Sequence, residues 1–147
     1  MKFKFTDDVF AEIEKVLETK FKKRENQYRA VLLNEEEKRK LIIEIYPDIP
    51  IGENMGNLIS IFSGNAHIQL HFCNGYVASD ILGEVTFFGQ NQNRLSGVII
   101  EKQAACSSFN NVDTSLLSGD FTKLAPEVML SGIALSLTEP LLEKHEK

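Results

Sequence analysis

The stretch HIQLHFCNGYV, residues 67–77, decides how the middle of this chain is read. Polar and apolar side chains alternate along it, which is typical of a β-strand, and it runs into Asn74-Gly75, the pair most favoured in two-residue hairpin turns. A related turn signal, Gly64-Asn65, precedes it. The two turns predict three consecutive antiparallel strands, over LISIFS (58–63), AHIQLHFC (66–73) and YVASDIL (76–82).

The three predicted strands present one apolar face and one mixed face, because side chains alternate along a strand. The core face is expected to carry Ile59, Ile61, Ile68, Leu70, Phe72, Val77 and Ile81. The mixed face is the candidate ligand- or partner-binding face, and its residues are Phe62, His67, Gln69, His71, Cys73, Tyr76 and Asp80. Sheet faces that meet water are usually more polar than this, so we expect other strands to cover this face or a partner to bind it.

The polar residues of the mixed face predict little chemistry. His67 and His71 on one strand would be about 13 Å apart, too far to share a zinc ion that needs ligands at about 2.1 Å. A hairpin at Asn74-Gly75 would pair Cys73 with Tyr76 and place Asp80 diagonally from both histidines, which permits a nucleophilic site in principle. No oxyanion-hole or nucleophile-elbow motif accompanies these residues, so we expect no catalytic residues, no metal and no cofactor.

The N-terminal part of the chain predicts a helix. Apolar residues recur at helical spacing from Thr6 to about Arg24, with Thr6 placed to act as the N-cap. The basic run KFKKR (20–24) then forms the last turn, where cations complement the helix dipole, and this explanation is favoured over a patch for an acidic partner.

The remaining segments predict further strands and a second helix. YRAVLLN and KLIIEIY predict a hairpin from about Tyr28 to Tyr46, and the Pro- and Gly-containing stretch 47–57 predicts an irregular connector. EVTFF and RLSGVIIEKQ predict two more strands around a polar loop. APEVMLSGIALSLTEPLL (125–142) predicts a C-terminal helix that is apolar on nearly all sides.

Composition limits the classes of function. The chain has 147 residues, 43% hydrophobic and 25% charged, which fits one globular domain over residues 1–147. No run approaches the ~18 apolar residues of a membrane helix, and the start MKFKFTDD is unlike a secretory signal. A net charge of −5 argues against nucleic-acid binding. A cytoplasmic location is expected because no secretory signal is recognised. The two cysteines are too few for a disulfide framework, and a reducing compartment would keep them as thiols.

The sequence therefore predicts a single α+β domain, in which an N-terminal and a C-terminal helix pack on one face of an antiparallel meander of five to seven strands. The favoured function is a non-enzymatic cytoplasmic binding or adaptor protein that acts through protein–protein contacts as a homodimer. One alternative is a carrier of a small apolar or aromatic ligand, held between the sheet and the C-terminal helix and oriented by His67, His71 or Tyr76. The other is a cysteine-dependent hydrolase or transferase that uses Cys73.

Overall fold

The computed structural model describes residues 3–64, 66–91 and 94–113. Within these residues the chain forms one helix and nine strands, and all strand pairs are antiparallel. The elements are α1 (Asp7–Leu17), β1 (Lys22–Arg24), β2 (Gln27–Asn34), β3 (Arg39–Ile51), β4 (Asn54–Ser63), β5 (Ala66–Leu70), β6 (Gly75–Ser79), β7 (Glu84–Asn91), β8 (Arg94–Glu101) and β9 (Ala105–Asp113).

The strands form two sheets, with the orders β1-β2-β3-β4-β5 and β6-β7-β8-β9. The predicted antiparallel pairing is confirmed, but the predicted single sheet of five to seven strands is wrong. The predicted C-terminal helix over 125–142 lies outside the described residues.

Helix α1 starts where the sequence predicts and ends earlier. The Thr6 hydroxyl oxygen accepts a hydrogen bond from the Val9 N–H at 3.3 Å, as expected of an N-cap. Glu18 then takes a left-handed conformation (φ 53°), and the Glu14 carboxylate accepts the Phe21 N–H at 2.8 Å. These two features turn the chain out of the helix and into β1. The predicted helix end at Arg24 is therefore wrong, because residues 22–24 form an edge strand.

The predicted hairpin from Tyr28 to Tyr46 is confirmed as β2 and β3, with Tyr28 opposite Ile45. The predicted irregular connector over 47–57 is wrong, because β3 continues to Ile51 and a turn at Gly52-Glu53 leads into β4. Gly52 has φ +62°, which a two-residue hairpin turn needs at its first position.

Strand β3 accommodates Pro47 through a local irregularity, whereas Pro50 pairs in register with Met55. The register with β4 shifts between Tyr46 and Ile49, and Asp48 between them has φ 52°. A bulge of this kind frees the strand from strict pairing at Pro47, which has no N–H to donate. The prolines of residues 47–57 therefore do not mark an irregular connector, because β3 continues through both of them.

Asn74-Gly75 does not form the predicted hairpin turn. The hairpin around Gly64-Asn65 is confirmed, with Phe62 opposite His67. Strand β5 nevertheless ends at Leu70, and β6 begins at Gly75 in the other sheet. Residues 71–74 thus cross from one sheet to the other. The predicted pairing of Cys73 with Tyr76 is wrong, and so is the diagonal placement of Asp80 beside the two histidines, since that placement required the same hairpin.

Two asparagines hold the crossing segment. The Asn57 Nδ2 donates to the Cys73 carbonyl at 3.0 Å, and its Oδ1 accepts the Asp48 N–H at 2.8 Å. The Asn74 side chain makes a matching pair of bonds, to the carbonyl of Gln90 at 3.0 Å and from the N–H of Gln90 at 3.1 Å. The first pair ties the segment to the five-stranded sheet and the second ties it to the four-stranded sheet.

Both sheets and α1 share one hydrophobic core. Its buried side chains are Phe10, Ile13, Val16, Leu17, Leu32, Leu41, Ile43, Ile45, Ile59, Ile61, Leu70, Cys73, Val85, Phe87, Val98, Ile100 and Ala104. Helix α1 packs on β6 and β7, and the Phe10 ring stacks on the Tyr28 ring of β2 with 4.0 Å between centroids. No helix in the described part of the chain has the length and apolarity needed to cross a membrane.

The predicted core face is partly correct. Ile59, Ile61 and Leu70 are buried as expected, but Phe72 is 46% exposed and Ile81 is 96% exposed. Phe72 follows the end of β5, where strand alternation no longer applies. Ile81 lies in the turn after β6, which is closed by a hydrogen bond of 2.8 Å from the Gly83 N–H to the Ser79 carbonyl.

Candidate binding face

The candidate binding face is the side of the five-stranded sheet that points away from the core, here called the outer face. Strand register aligns its side chains in rows that cross the sheet. The apolar row is Val31, Ile42, Phe62 and His67. The charged row is Lys22, Arg29, Glu44, Ser60 and Gln69. Successive rows are about 7 Å apart, because same-face residues are two positions apart on a strand.

The apolar row contains side chains that are open to solvent. Val31 is 37% exposed, and Leu33, its same-face neighbour on β2, is 61% exposed. Ile42 and Phe62 are partly buried. Directly opposite pairs lie within contact range across antiparallel strands, so Val31, Ile42 and Phe62 form one apolar strip across β2, β3 and β4, and Leu33 extends it along β2. The strip is the part of the outer face most suited to contact another apolar surface.

His67 ends the apolar row in a fixed orientation. Its ring stacks on the Phe62 ring with 4.2 Å between centroids and 8° between planes. Its Nε2 lies 2.6 Å from the Ser60 Oγ, and the ring tautomer decides which of the two atoms donates. Ser60 is only 2% exposed, so a substrate does not reach its hydroxyl. This contact orients the imidazole and does not create an accessible nucleophile.

Side chains of β2 and β3 form a hydrogen-bonded group on the same face. The Tyr46 hydroxyl donates to the Glu44 Oε1 at 2.9 Å and accepts from the Gln27 Nε2 at 2.8 Å. Burial and the hydrogen bond to Glu44 raise the pKa of Tyr46. The other Glu44 oxygen lies 3.7 Å from the Arg29 Nε. The carboxylate of Glu44 is therefore already engaged by two neighbours.

Gln69 lies at the β5 edge of the outer face, and His71 lies beyond the end of that strand. The His71 Nε2 is 3.1 Å from the Gln69 Oε1. Both residues line an open groove of about 690 Å³ at the junction of the two sheets, together with Asn54, Met55, Leu70, Phe72, Asn74, Gly89, Gln90, Ser96 and Asn110. His71 thus belongs to the junction and not to the apolar row.

Cys73 is a core residue. It is 2% exposed, and its Sγ donates to the Gly75 carbonyl at 3.2 Å. Burial raises the pKa of its thiol to about 12, so the thiol stays protonated at neutral pH. A buried and protonated thiol of this kind packs as a small hydrophobic side chain.

Tyr76 and Asp80 lie against α1. The Tyr76 hydroxyl donates a hydrogen bond to the Glu12 Oε1. Burial is the main cause that raises the pKa of Tyr76, and the nearby Glu12 carboxylate raises it further. The Asp80 Oδ2 is 3.8 Å from the Lys15 Nζ. Of the seven residues predicted to share a face, Phe62, His67 and Gln69 lie together on the outer face, whereas His71, Cys73, Tyr76 and Asp80 do not.

The residues of β2 and β3 on this face were not predicted to belong to it. Val31, Leu33 and Ile42 lie in a hairpin that was predicted correctly, and their alternation with buried Leu32 and Leu41 already indicated opposite sides of a strand. The pairing of β3 with β4 joins that hairpin to Phe62, and this pairing was hidden by the false connector at 47–57.

Among the described residues, no three histidine, cysteine, aspartate or glutamate side chains are grouped closely enough to hold a metal ion. Comparison of the chain with protein-family models, with curated protein sequences and with solved structures finds no significant match in any of the three.

Proposed function

We propose that this protein is a non-enzymatic cytoplasmic binding protein that acts through protein–protein contacts, with the apolar row of its outer face paired against a second copy of the chain. The observation that carries the proposal is the exposure of Val31 and Leu33, at 37% and 61%, beside the partly buried Ile42 and Phe62. Removing such side chains from water stabilises a complex by about 25 cal/mol per Å² of apolar area.

The charges of the outer face favour one way of pairing two copies. The β1 end of the face carries Lys22 and Arg29, and the β5 end carries the uncharged Gln69. A two-fold axis parallel to β3 superposes one apolar row on the other and sets the β1 end of each copy over the β5 end of its partner. This arrangement keeps Lys22 and Arg29 of one copy away from Lys22 and Arg29 of the other.

The dimensions of the face predict a weak dimer. Five strands spaced about 4.8 Å apart and three to four rows spaced about 7 Å apart give a patch of roughly 400 Å² per copy. An interface of roughly 800 Å² in total is at the low end of specific complexes, so we expect reversible association in the micromolar range.

Sedimentation equilibrium tests the proposal. The test variant carries Val31→Lys and Leu33→Lys, and the matched control carries Ile81→Lys and Leu82→Lys, two exposed apolar residues in the turn after β6. We expect the wild type and the control to dimerise alike. The test variant should associate at least about 100-fold more weakly, equivalent to about 2.7 kcal/mol, because the dimer would bury lysine side chains.

Two results contradict the proposal. One is a wild-type protein that stays monomeric up to about 500 μM, a concentration at which even weak dimers are populated. The other is an equal loss of association in both double variants, which would locate the contact elsewhere.

The two alternative functions have less support. A cysteine-dependent enzyme needs a reachable thiolate, whereas the Cys73 thiol is buried and protonated. A carrier would hold its ligand against the segment 125–142, which lies outside the described residues. We propose the cytoplasmic location because a reducing compartment keeps the two cysteines as free thiols.

A further inference from the structure

A second surface feature lies at the β1 edge of the five-stranded sheet and adjoins the apolar row at Val31. Strand β1 pairs with β2 on one side only, and no described strand pairs with its other side. Beside it lies a groove of about 530 Å³ lined by Thr19, Lys20, Lys22, Lys23, Arg24, Gln27, Arg29 and Val31. Five of these eight residues are cations, in a chain whose net charge is −5. These five cations are called the basic edge.

The cations of the basic edge are incompletely neutralised. Arg29 has Glu44 at 3.7 Å, and Lys20 has Glu14 at 3.9 Å. The Lys23 Nζ lies 5.4 Å from the centre of the Tyr28 ring. Within the described residues, Lys22 and Arg24 have no carboxylate within 4 Å of their charged nitrogens. The edge therefore retains positive charge that an incoming anion can neutralise.

The strand register makes this charge unfavourable in the free protein. Lys22 is directly opposite Arg29, and like charges at directly opposite positions destabilise a strand pair. A short lysine-bearing strand protects a sheet edge from aggregation, but a single charge serves that purpose. Five cations around one groove, two of them opposed across the strands, are better explained by an anionic ligand.

We propose that the basic edge binds an extended acidic segment of a partner protein, which adds beside β1 as a sixth strand of the sheet. An extended segment can pair its backbone with the unpaired edge of β1, and its side chains alternate between the two faces. Lys22 and Arg24 are two residues apart and point to the outer face. The segment that fits them carries an acidic residue at every second position.

Fluorescence anisotropy with short labelled peptides tests this inference. The probe is a fluorescein-labelled peptide of about eight residues in which Glu alternates with Thr. One control peptide has the same composition with the four glutamates in one block. A second control keeps the alternating sequence but is N-methylated at alternate backbone nitrogens, which removes the strand hydrogen bonds without changing the charge.

Two protein variants complete the design. The test variant removes two cations from the basic edge and carries Lys22→Gln and Arg24→Gln. The control variant removes two exposed cations near the other end of the β2–β3 hairpin and carries Lys38→Gln and Lys40→Gln. We expect the alternating peptide to bind the wild type and the Lys38/Lys40 variant equally, and to bind the Lys22/Arg24 variant roughly 10-fold more weakly. Block and methylated peptides should each bind the wild type roughly 10-fold more weakly than the alternating peptide.

Three results overturn the inference. The first is no binding of the alternating peptide to the wild type. The second is equal binding of the alternating, block and methylated peptides, together with tight binding of heparin, which would identify a general polyanion site. The third is an equal effect of the two double variants. Sedimentation measures self-association without any peptide, and the peptide assay uses variants that leave Val31 and Leu33 unchanged, so the failure of either proposal is recognised separately.

Discussion

The substitution Asn57→Ala removes one of the two asparagines that hold residues 71–74 where they cross between the sheets. The side chain of Asn57 is buried, at 7% exposure, and it makes one bond to the Cys73 carbonyl and one from the Asp48 N–H. The Asn57 carbonyl still accepts the Cys73 N–H at 2.9 Å in the variant, so the segment loses part of its attachment and not all of it.

The expected cost follows from the two lost hydrogen bonds. Each contributes about 1 kcal/mol net, and the Cys73 carbonyl, left without its partner inside the protein, adds a desolvation cost of about 1 kcal/mol or more. We therefore expect a loss of about 3 kcal/mol. Asn74→Ala is the matched control, because Asn74 also makes two side-chain bonds but is exposed. Water replaces its partners, so the expected loss is about 1 kcal/mol.

Urea unfolding followed by circular dichroism measures both changes. With a urea m-value of about 2 kcal/mol/M, Asn57→Ala lowers the midpoint by about 1.5 M and Asn74→Ala lowers it by about 0.5 M, with m unchanged. Equal shifts for the two variants would refute the reasoning. A loss below about 1 kcal/mol for Asn57→Ala would also refute it, because a buried carbonyl would then have lost its partner without cost.

Three further predictions concern the backbone and the core. Lys38 has φ 55° in the β2–β3 turn, so Lys38→Gly should raise the free energy of unfolding by about 0.5 kcal/mol. Glu36 lies in the same turn but is not in a left-handed conformation, so Glu36→Gly should lower the free energy of unfolding. Urea midpoints measure both changes. A Cβ at position 89 would overlap the Phe72 carbonyl oxygen, so Gly89→Ala should cost about 3 kcal/mol or more in the same assay. The pKa of the Cys73 thiol rises from about 9 to about 12 in the fold, so the unfolded chain releases this proton first as pH increases. Stability should therefore fall between about pH 9 and pH 12, by at most about 1.4 kcal/mol per pH unit for this thiol, and the fall should be shallower in Cys73→Ala.

Elements that depend on neighbours in sequence were predictable. The N-cap at Thr6 needs only the first turn of the helix, and the hairpin around Gly64-Asn65 needs only the alternation on either side. The same alternation correctly placed Phe62, His67 and Gln69 on one face. These three residues are the part of the candidate site that local pattern could identify.

Elements that depend on distant partners were not predictable from local pattern. Asn74-Gly75 carries the strongest hairpin signal in the sequence, yet the Asn74 side chain bonds to Gln90, and the Phe88 ring packs where a Gly75 side chain would be. The Asn74 side chain can bond backbone groups, and Gly75 permits close approach of another side chain. Both properties suit a tight turn and a crossing between sheets equally well. Gln90 is 16 residues from Asn74, so no short window contains the information that separates the two structures.

The most direct test of the proposed binding face is the rate at which a maleimide labels a cysteine introduced on it. The variants are Val31→Cys on the apolar row and Ile81→Cys in the turn after β6, and wild-type labelling gives the background from Cys73 and Cys106. If the apolar row pairs with a second copy, labelling of Val31→Cys slows as the protein concentration rises through the dimerisation range, while labelling of Ile81→Cys stays constant. A Val31→Cys rate that is the same at every concentration would contradict the account.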